Sequence, residues 1–182
     1  MSTPILETLV LRATTKDRAH QILEAQLKSP YHFPEVIHLS EKTGKQWNMG
    51  EMRNKQLWTA RRVLPEWTLI VDADCIIQKF DPTNLPKNMV VRALCSNYSK
   101  NPVNVSWFAI NKGILFNLPN FNENYHGGYW EDIEWMRKLG TSHLATADEF
   151  LCEHIPHELN PGQDESYKRN QQIFNERNGE IV

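Results

Sequence analysis

The chain has 182 residues, of which 40% are hydrophobic and 23% charged, with a formal net charge of −2. That length suits one domain with its own core, and the near-neutral balance excludes bulk attraction to nucleic acid or to an anionic membrane. Three cysteines, an odd number without Cys-x-x-Cys spacing, read as reduced thiols in a cytoplasmic setting.

The N-terminus has neither the basic region nor the long apolar region of a signal peptide, and no apolar window reaches the length of a membrane span. Residues 7–13 read as a first strand through Leu9, Val10 and Leu11. Thr14 or Thr15 can N-cap a helix whose apolar stripe is Ile22, Leu23 and Leu27, ending before Ser29-Pro30. Residues 35–39 form a second strand, and residues 40–44 a polar loop at its carboxyl end. A second helix over 49–64 carries Met49, Met52, Leu57, Ala60 and Leu64 close to one face, and Pro65 closes it.

Next comes the run Trp67-Thr-Leu-Ile-Val-Asp-Ala-Asp-Cys-Ile-Ile77. Its continuous apolar stretch reads as a strand buried on both faces. The order strand–helix–strand–helix–strand predicts an α/β fold with a mostly parallel sheet flanked by helices. Further strands are expected over 90–94 and 105–110, a short helix or turn over 113–120, and a Gly/Asn/aromatic loop over 121–129. A helix over 131–139 turns Ile133, Trp135, Met136 and Leu139 inward. Short edge strands over 143–145 and 149–152 and a marginal surface helix over 165–177 complete the chain.

Asp72 and Asp74 stand at the carboxyl end of the buried strand, where a charge needs a partner. Asp-x-Asp is a hard oxygen arrangement suited to Mg²⁺ or Mn²⁺, which also recruit water and phosphate oxygens. The plain alternative is a solvated Asx-type turn. Glu131 and Asp132 open a helix directly after a Gly-rich loop. One acid there would satisfy the helix dipole, a stabilisation of about 0.3–1 kcal/mol; two acids after Gly127-Gly128 suggest a site.

The segment Gly50-Glu-Met-Arg-Asn54, followed by a helix and Ile70-Val-Asp-Ala-Asp74, resembles the first half of a family 2-type glycosyltransferase of GT-A fold. Trp107-Phe-Ala-Ile-Asn-Lys-Gly113, then Phe121-Asn-Glu-Asn-Tyr-His-Gly-Gly-Tyr-Trp-Glu-Asp132, is similar to that family's acceptor-side segment and to the Gly-rich loop and Glu-Asp pair of β-galactosyltransferases. The resemblance covers about residues 7–158. It implies a compact Rossmann-like GT-A domain over 1–158, with a nucleotide-sugar half at 1–80, an acceptor half at 81–158 and a polar tail or helix at 159–182.

The resemblance also implies roles. Asp74, with Asp72 directly or through water, would hold Mn²⁺ or Mg²⁺. His154 or His157 would supply the late imidazole ligand, with His154 the first choice. Asp132 would be the general base of an inverting transfer and Glu131 would hold donor sugar or acceptor. Arg53 would meet the diphosphate, Arg12 and Thr14 the base and ribose, and Glu41 a base N–H. Gly128 in the loop and Trp130 against a sugar face would complete the donor site, with Tyr129 a second aromatic candidate.

The expected donor is a nucleotide-diphosphate sugar, a UDP-sugar first. The acceptor is a glycan or, as in some small GT-A enzymes, a hydroxymethylated DNA base. The first strand ends Leu11-Arg-Ala-Thr-Thr15 and the second ends Ser40-Glu41, where the family carries other residues for reading the nucleotide base. The rival readings are a sugar-phosphate nucleotidyltransferase, for which Ala13-Thr-Thr-Lys-Asp17 lacks the expected glycines, and a non-catalytic sugar- or nucleic-acid-binding module, which would not need both acid pairs.

Overall fold

A computed structural model of the protein describes residues 6–43, 46–97, 106–127, 130–156 and 163–178. Strand β1 (Thr8–Thr15) is buried along its whole length. It lies between β2 (Glu35–Ser40) and β3 (Trp67–Asp72), and both pairings are parallel. Helix α1 (His20–Lys28) joins β1 to β2, and α2 (Met49–Val63) joins β2 to β3. This half is the parallel unit expected from the order of elements.

Beyond β3 the sheet becomes mixed. β6 (Phe108–Asn111) runs antiparallel to β3 and to β5 (Val90–Cys95). β7 (Leu144–His154) runs parallel to β5 and antiparallel to β4 (Cys75–Phe80). The strand order is β2-β1-β3-β6-β5-β7-β4. Helices α3 (Glu131–Leu139) and α4 (Gln163–Asn178) complete the described elements.

The core divides by strand alternation. Val10, Leu69 and Val71 join a cluster on one face with Ile77, Val91 and Phe150. Leu9, Leu11 and Ile70 face the other way, packing with Leu57 of α2, Phe108, Ile110 and Trp135 of α3. The three cysteines are buried and free. Among the described residues no helix is long and apolar enough to cross a membrane.

Several local expectations change. The apolar run 67–77 is two strands, because the backbone turns at residues 73 and 74 and β4 leaves to pair with β7 at the far edge. Residues 144–154 form one continuous strand inside the sheet, since it pairs on both sides, where two short edge strands were expected. Thr14 and Thr15 belong to β1, and a 3-10 turn (Lys16–Arg18) precedes α1. Leu23 and Leu27 are exposed, because α1 docks through Ala25 onto Ile76 and Ile155.

On α3, Glu131 and Glu134 are buried with Trp135, whereas Ile133 is partly exposed. α4 is not a marginal surface element: Phe174 is fully buried against Tyr125 and Trp130. The strand expected over 105–110 begins at Phe108 among the described residues; position 105 lies outside them.

Candidate active site

The start of α2 grips the segment that delivers the second acid pair. Asn48 caps the helix by accepting the Glu51 N–H at 2.8 Å, while its own side-chain amide donates to the Glu123 carbonyl at 2.6 Å. One turn on, Asn54 accepts the Phe121 N–H at 2.8 Å and donates to the Phe121 carbonyl at 3.0 Å. Gly50 lets the two backbones touch: a Cβ there would lie 2.4 Å from the Asn122 carbonyl oxygen. Gly127, at φ 81°, donates its N–H to the Trp47 carbonyl at 2.6 Å.

The same helix turn aims Arg53 at the strand end. Its guanidinium, 1% exposed, donates to Asp72 Oδ1 at 2.6 Å and to the Ser106 carbonyl at 3.1 Å. The other nitrogen is held by Gln56 Oε1 at 3.1 Å, and Gln56 donates in turn to the Leu11 carbonyl at 2.7 Å. Trp107 Nε1 donates to the second Asp72 oxygen at 3.1 Å. Ser106 completes the connection, because its hydroxyl donates to Asp132 Oδ2. Asp72, Arg53, Ser106 and Asp132 therefore form one continuous polar chain from β3 to α3.

Burial shapes the acid pair. Glu131 is 4% exposed, and desolvation together with the neighbouring Asp132 charge pushes its carboxyl up to about 8, against an opposing pull from Arg53. Burial likewise raises Asp132, while the Ile133 N–H and Arg53 oppose it. The two carboxyls are adjacent and titrate as a pair, each held above its ordinary range by burial. Arg92 of β5 adds a cation on this side; burial lowers its pKa and the Asp132 charge raises it.

Asp74 sits in the turn after β3, 6% exposed. Its Oδ2 lies 3.3 Å from Arg18 Nη2 and 3.5 Å from His154 Nε2. His154, the last residue of β7, stacks on the Trp107 ring with centroids 6.2 Å apart and planes 20° off parallel. Asn97 fixes its backbone on both sides, accepting the His154 N–H at 2.9 Å and donating to its carbonyl at 2.8 Å. Trp107 thus touches both Asp72 and His154.

Among the described residues no group of three or more His, Cys, Asp or Glu could hold a metal ion by itself. Asp74 and His154 give a carboxylate oxygen and an imidazole nitrogen 3.5 Å apart, while the two Asp72 oxygens accept from Arg53 and Trp107. Two such donors suit a divalent cation that takes its remaining ligands from water and phosphate oxygens.

Other expected residues lie elsewhere. Arg12, expected near base and ribose, is 1% exposed and folded into the sheet, paired with Glu35 Oε2 at 3.0 Å and donating to the Asp72 and Cys75 carbonyls at 3.0 and 2.8 Å. It braces the Asp-x-Asp turn from beneath. Thr14 is buried near the end of β1. Glu41 is exposed and pairs with Lys16.

Trp130, expected against a sugar, is buried at φ 76° between Tyr167 and Phe174 of α4, with ring centroids at 5.4 and 5.0 Å. His157, Gly128 and Tyr129 lie outside the described residues. Ser106, Arg18, Arg92 and Gln56 escaped the sequence reading, and only Asn48-x-x-Glu51 carried a usable signal, that of a helix cap.

No protein-family model matches the chain, and no curated protein sequence matches it. Solved structures do. A mutant of the Drosophila β-1,4-galactosyltransferase 7, in complex with manganese, UDP-Gal and xylobiose, superposes with a TM-score of 0.58 at 11% identity, over 88% of this chain and 79% of that one. The catalytic domain of the same enzyme with xylobiose gives 0.55 at 12% identity over the same shares. A protein from STIV gives 0.51 at 10% identity, over 84% of this chain and 87% of that one.

The chain has the GT-A fold.

Proposed function

We propose that this protein is a nucleotide-sugar-dependent glycosyltransferase that transfers its sugar with inversion to a glycan hydroxyl. The observation that carries the reading is the polar chain Asp72–Arg53–Ser106–Asp132, which ties the Asp-x-Asp turn to the acid pair. A stable domain has no need to bring two carboxylates and a buried guanidinium together there.

Asp74 and His154 would hold a divalent cation, with Asp72 bound directly or through water; His157 remains a second candidate ligand. When bound, that cation would stabilise the leaving diphosphate. Asp132, partly exposed at the start of α3, takes the proton from the acceptor hydroxyl in its carboxylate form. Glu131, neutral at pH 7, donates a hydrogen bond to a sugar oxygen. Its Oε2 has no hydrogen-bond partner among the described residues, which leaves that atom for substrate. Arg53 holds Asp72 in place instead of meeting the diphosphate itself.

The manganese, UDP-Gal and xylobiose bound to the Drosophila enzyme make a UDP-sugar, Mn²⁺ and a glycan the first compounds to try. The test is a screen of nucleotide-sugar hydrolysis and transfer with Mn²⁺, followed by mass spectrometry and NMR of the product anomer. An inverted product from one donor supports the reading. Absence of turnover and of Mn²⁺-dependent nucleotide binding across all donors overturns it.

A further inference from the structure

Arg18 stands where an incoming cation would go. It lies on the 3-10 turn after β1, with its Nη2 3.3 Å from Asp74 Oδ2 and its Nε donating to Gln21 Oε1 at 3.0 Å. The oxygen it contacts is the one that faces His154 Nε2 at 3.5 Å. One carboxylate oxygen thus meets both a guanidinium and the candidate imidazole ligand.

We propose that Arg18 is the built-in counter-cation of this site. It holds Asp74 when no divalent cation is bound and passes to the nucleotide diphosphate when one arrives, so that cation and nucleotide bind with positive coupling. This rests on the functional reading above.

The electrostatics run in one direction. Asp74 is nearly buried, and a carboxylate there is costly without an opposite charge. Arg18 supplies that charge at 3.3 Å. A divalent cation approaching the same oxygen therefore meets a like charge and binds weakly on its own. A nucleoside diphosphate changes the balance. Its phosphate oxygens match the guanidinium fork, so Arg18 gains a partner as it leaves Asp74.

The side chain is suited to this movement. It is 24% exposed, so it can swing without opening the core, and Gln21 tethers it near the crevice. By linkage, the factor by which nucleotide tightens the cation equals the factor by which the cation tightens nucleotide.

The experiment is a Mn²⁺ titration followed by electron paramagnetic resonance, on wild type, Arg18→Gln and Arg18→Lys, each with and without UDP. Without UDP, Arg18→Gln should bind Mn²⁺ about tenfold tighter than wild type, and the tightening produced by UDP should shrink by a similar factor. Arg18→Lys, which keeps the charge but not the fork, should stay close to wild type without UDP and lose part of the coupling. Equal Mn²⁺ affinity of wild type and Arg18→Gln without UDP overturns the proposal. The control is Asp74→Asn: if it loses Mn²⁺ while Arg18→Gln is neutral, only the role of Arg18 falls. If Asp74→Asn keeps Mn²⁺ as well, the metal lies elsewhere, and the assignment of Asp74 and His154 as ligands falls together with the role of Arg18.

Discussion

Arg53 donates to Asp72 at 2.6 Å from inside the protein, where its own side chain is 1% exposed. This pair decides the geometry of the crevice. The guanidinium is fixed by Gln56 behind and by the Ser106 carbonyl beside it. Asp72 therefore cannot move without disturbing the backbone that presents the Asp132 contact.

Removing that guanidinium should be costly. Arg53→Met leaves the partly exposed Asp72 without its charge partner, and should lower unfolding stability by about 1–3 kcal/mol. Adding Asp72→Asn should recover part of that loss, because the remaining group is neutral. Urea unfolding of the three variants checks both points; a double variant less stable than Arg53→Met would contradict the pairing.

Gly50 tests the join between the two halves. A Cβ would meet the Asn122 carbonyl at 2.4 Å and its carbon at 3.0 Å, and both are backbone atoms. Gly50→Ala should therefore destabilise by about 1–3 kcal/mol, despite the better helix propensity of Ala. Hydrogen exchange should quicken at the Phe121 N–H, which Asn54 now protects. Unchanged exchange there would mean that the loop does not depend on this contact.

Asp132→Asn separates binding from chemistry. Mn²⁺-dependent nucleotide affinity should stay within a few-fold, while sugar transfer should fall by about 10²–10⁴. Because Asp132 is raised by burial, the wild-type rate should decline on the acid side at a pH above the ordinary carboxylate range, and the variant should lack that limb. Transfer at near wild-type rate by Asp132→Asn would remove it from the role of base.

Glu131 predicts a pH-dependent stability. Its folded carboxyl titrates at about 8, whereas an unfolded one titrates near 4.5. Between these values the unfolded chain has released the proton and the folded chain has not. The group's favourable contribution is thus complete below pH 4.5 and lost as pH rises toward 8. Glu131→Gln should therefore raise the melting temperature at pH 8 by roughly 2–4 °C for each kcal/mol recovered, with the gain vanishing at low pH. A gain independent of pH would show that Glu131 is ionised in the fold.

Much of this was legible from sequence because it is local. The apolar period of β1 and β3, the close of α2 at Pro65, and the acids at the start of α3 depend on residues near one another in the chain. The meeting of the Asp-x-Asp turn with Glu131 and Asp132 was legible only through resemblance in motif order. What sequence could not reach was contact-dependent. Asn54 reads as a solvated helix residue until residue 121 is packed against it. Leu23 and Leu27 form a good helical stripe, yet the neighbour that α1 meets touches Ala25 instead.

By itself the sequence determined the α/β class, the parallel first half and the two acid pairs, because periodicity and helix ends are set by adjacent residues. The tertiary structure decided which charges are partners. Arg12 and Arg53 look alike in sequence as cations near a nucleotide site, but one braces a turn and the other holds Asp72. Ser106 has no signal at all until β3, β6 and α3 converge around it. Such roles depend on long-range contacts and desolvation, and both exist only once the sheet has closed.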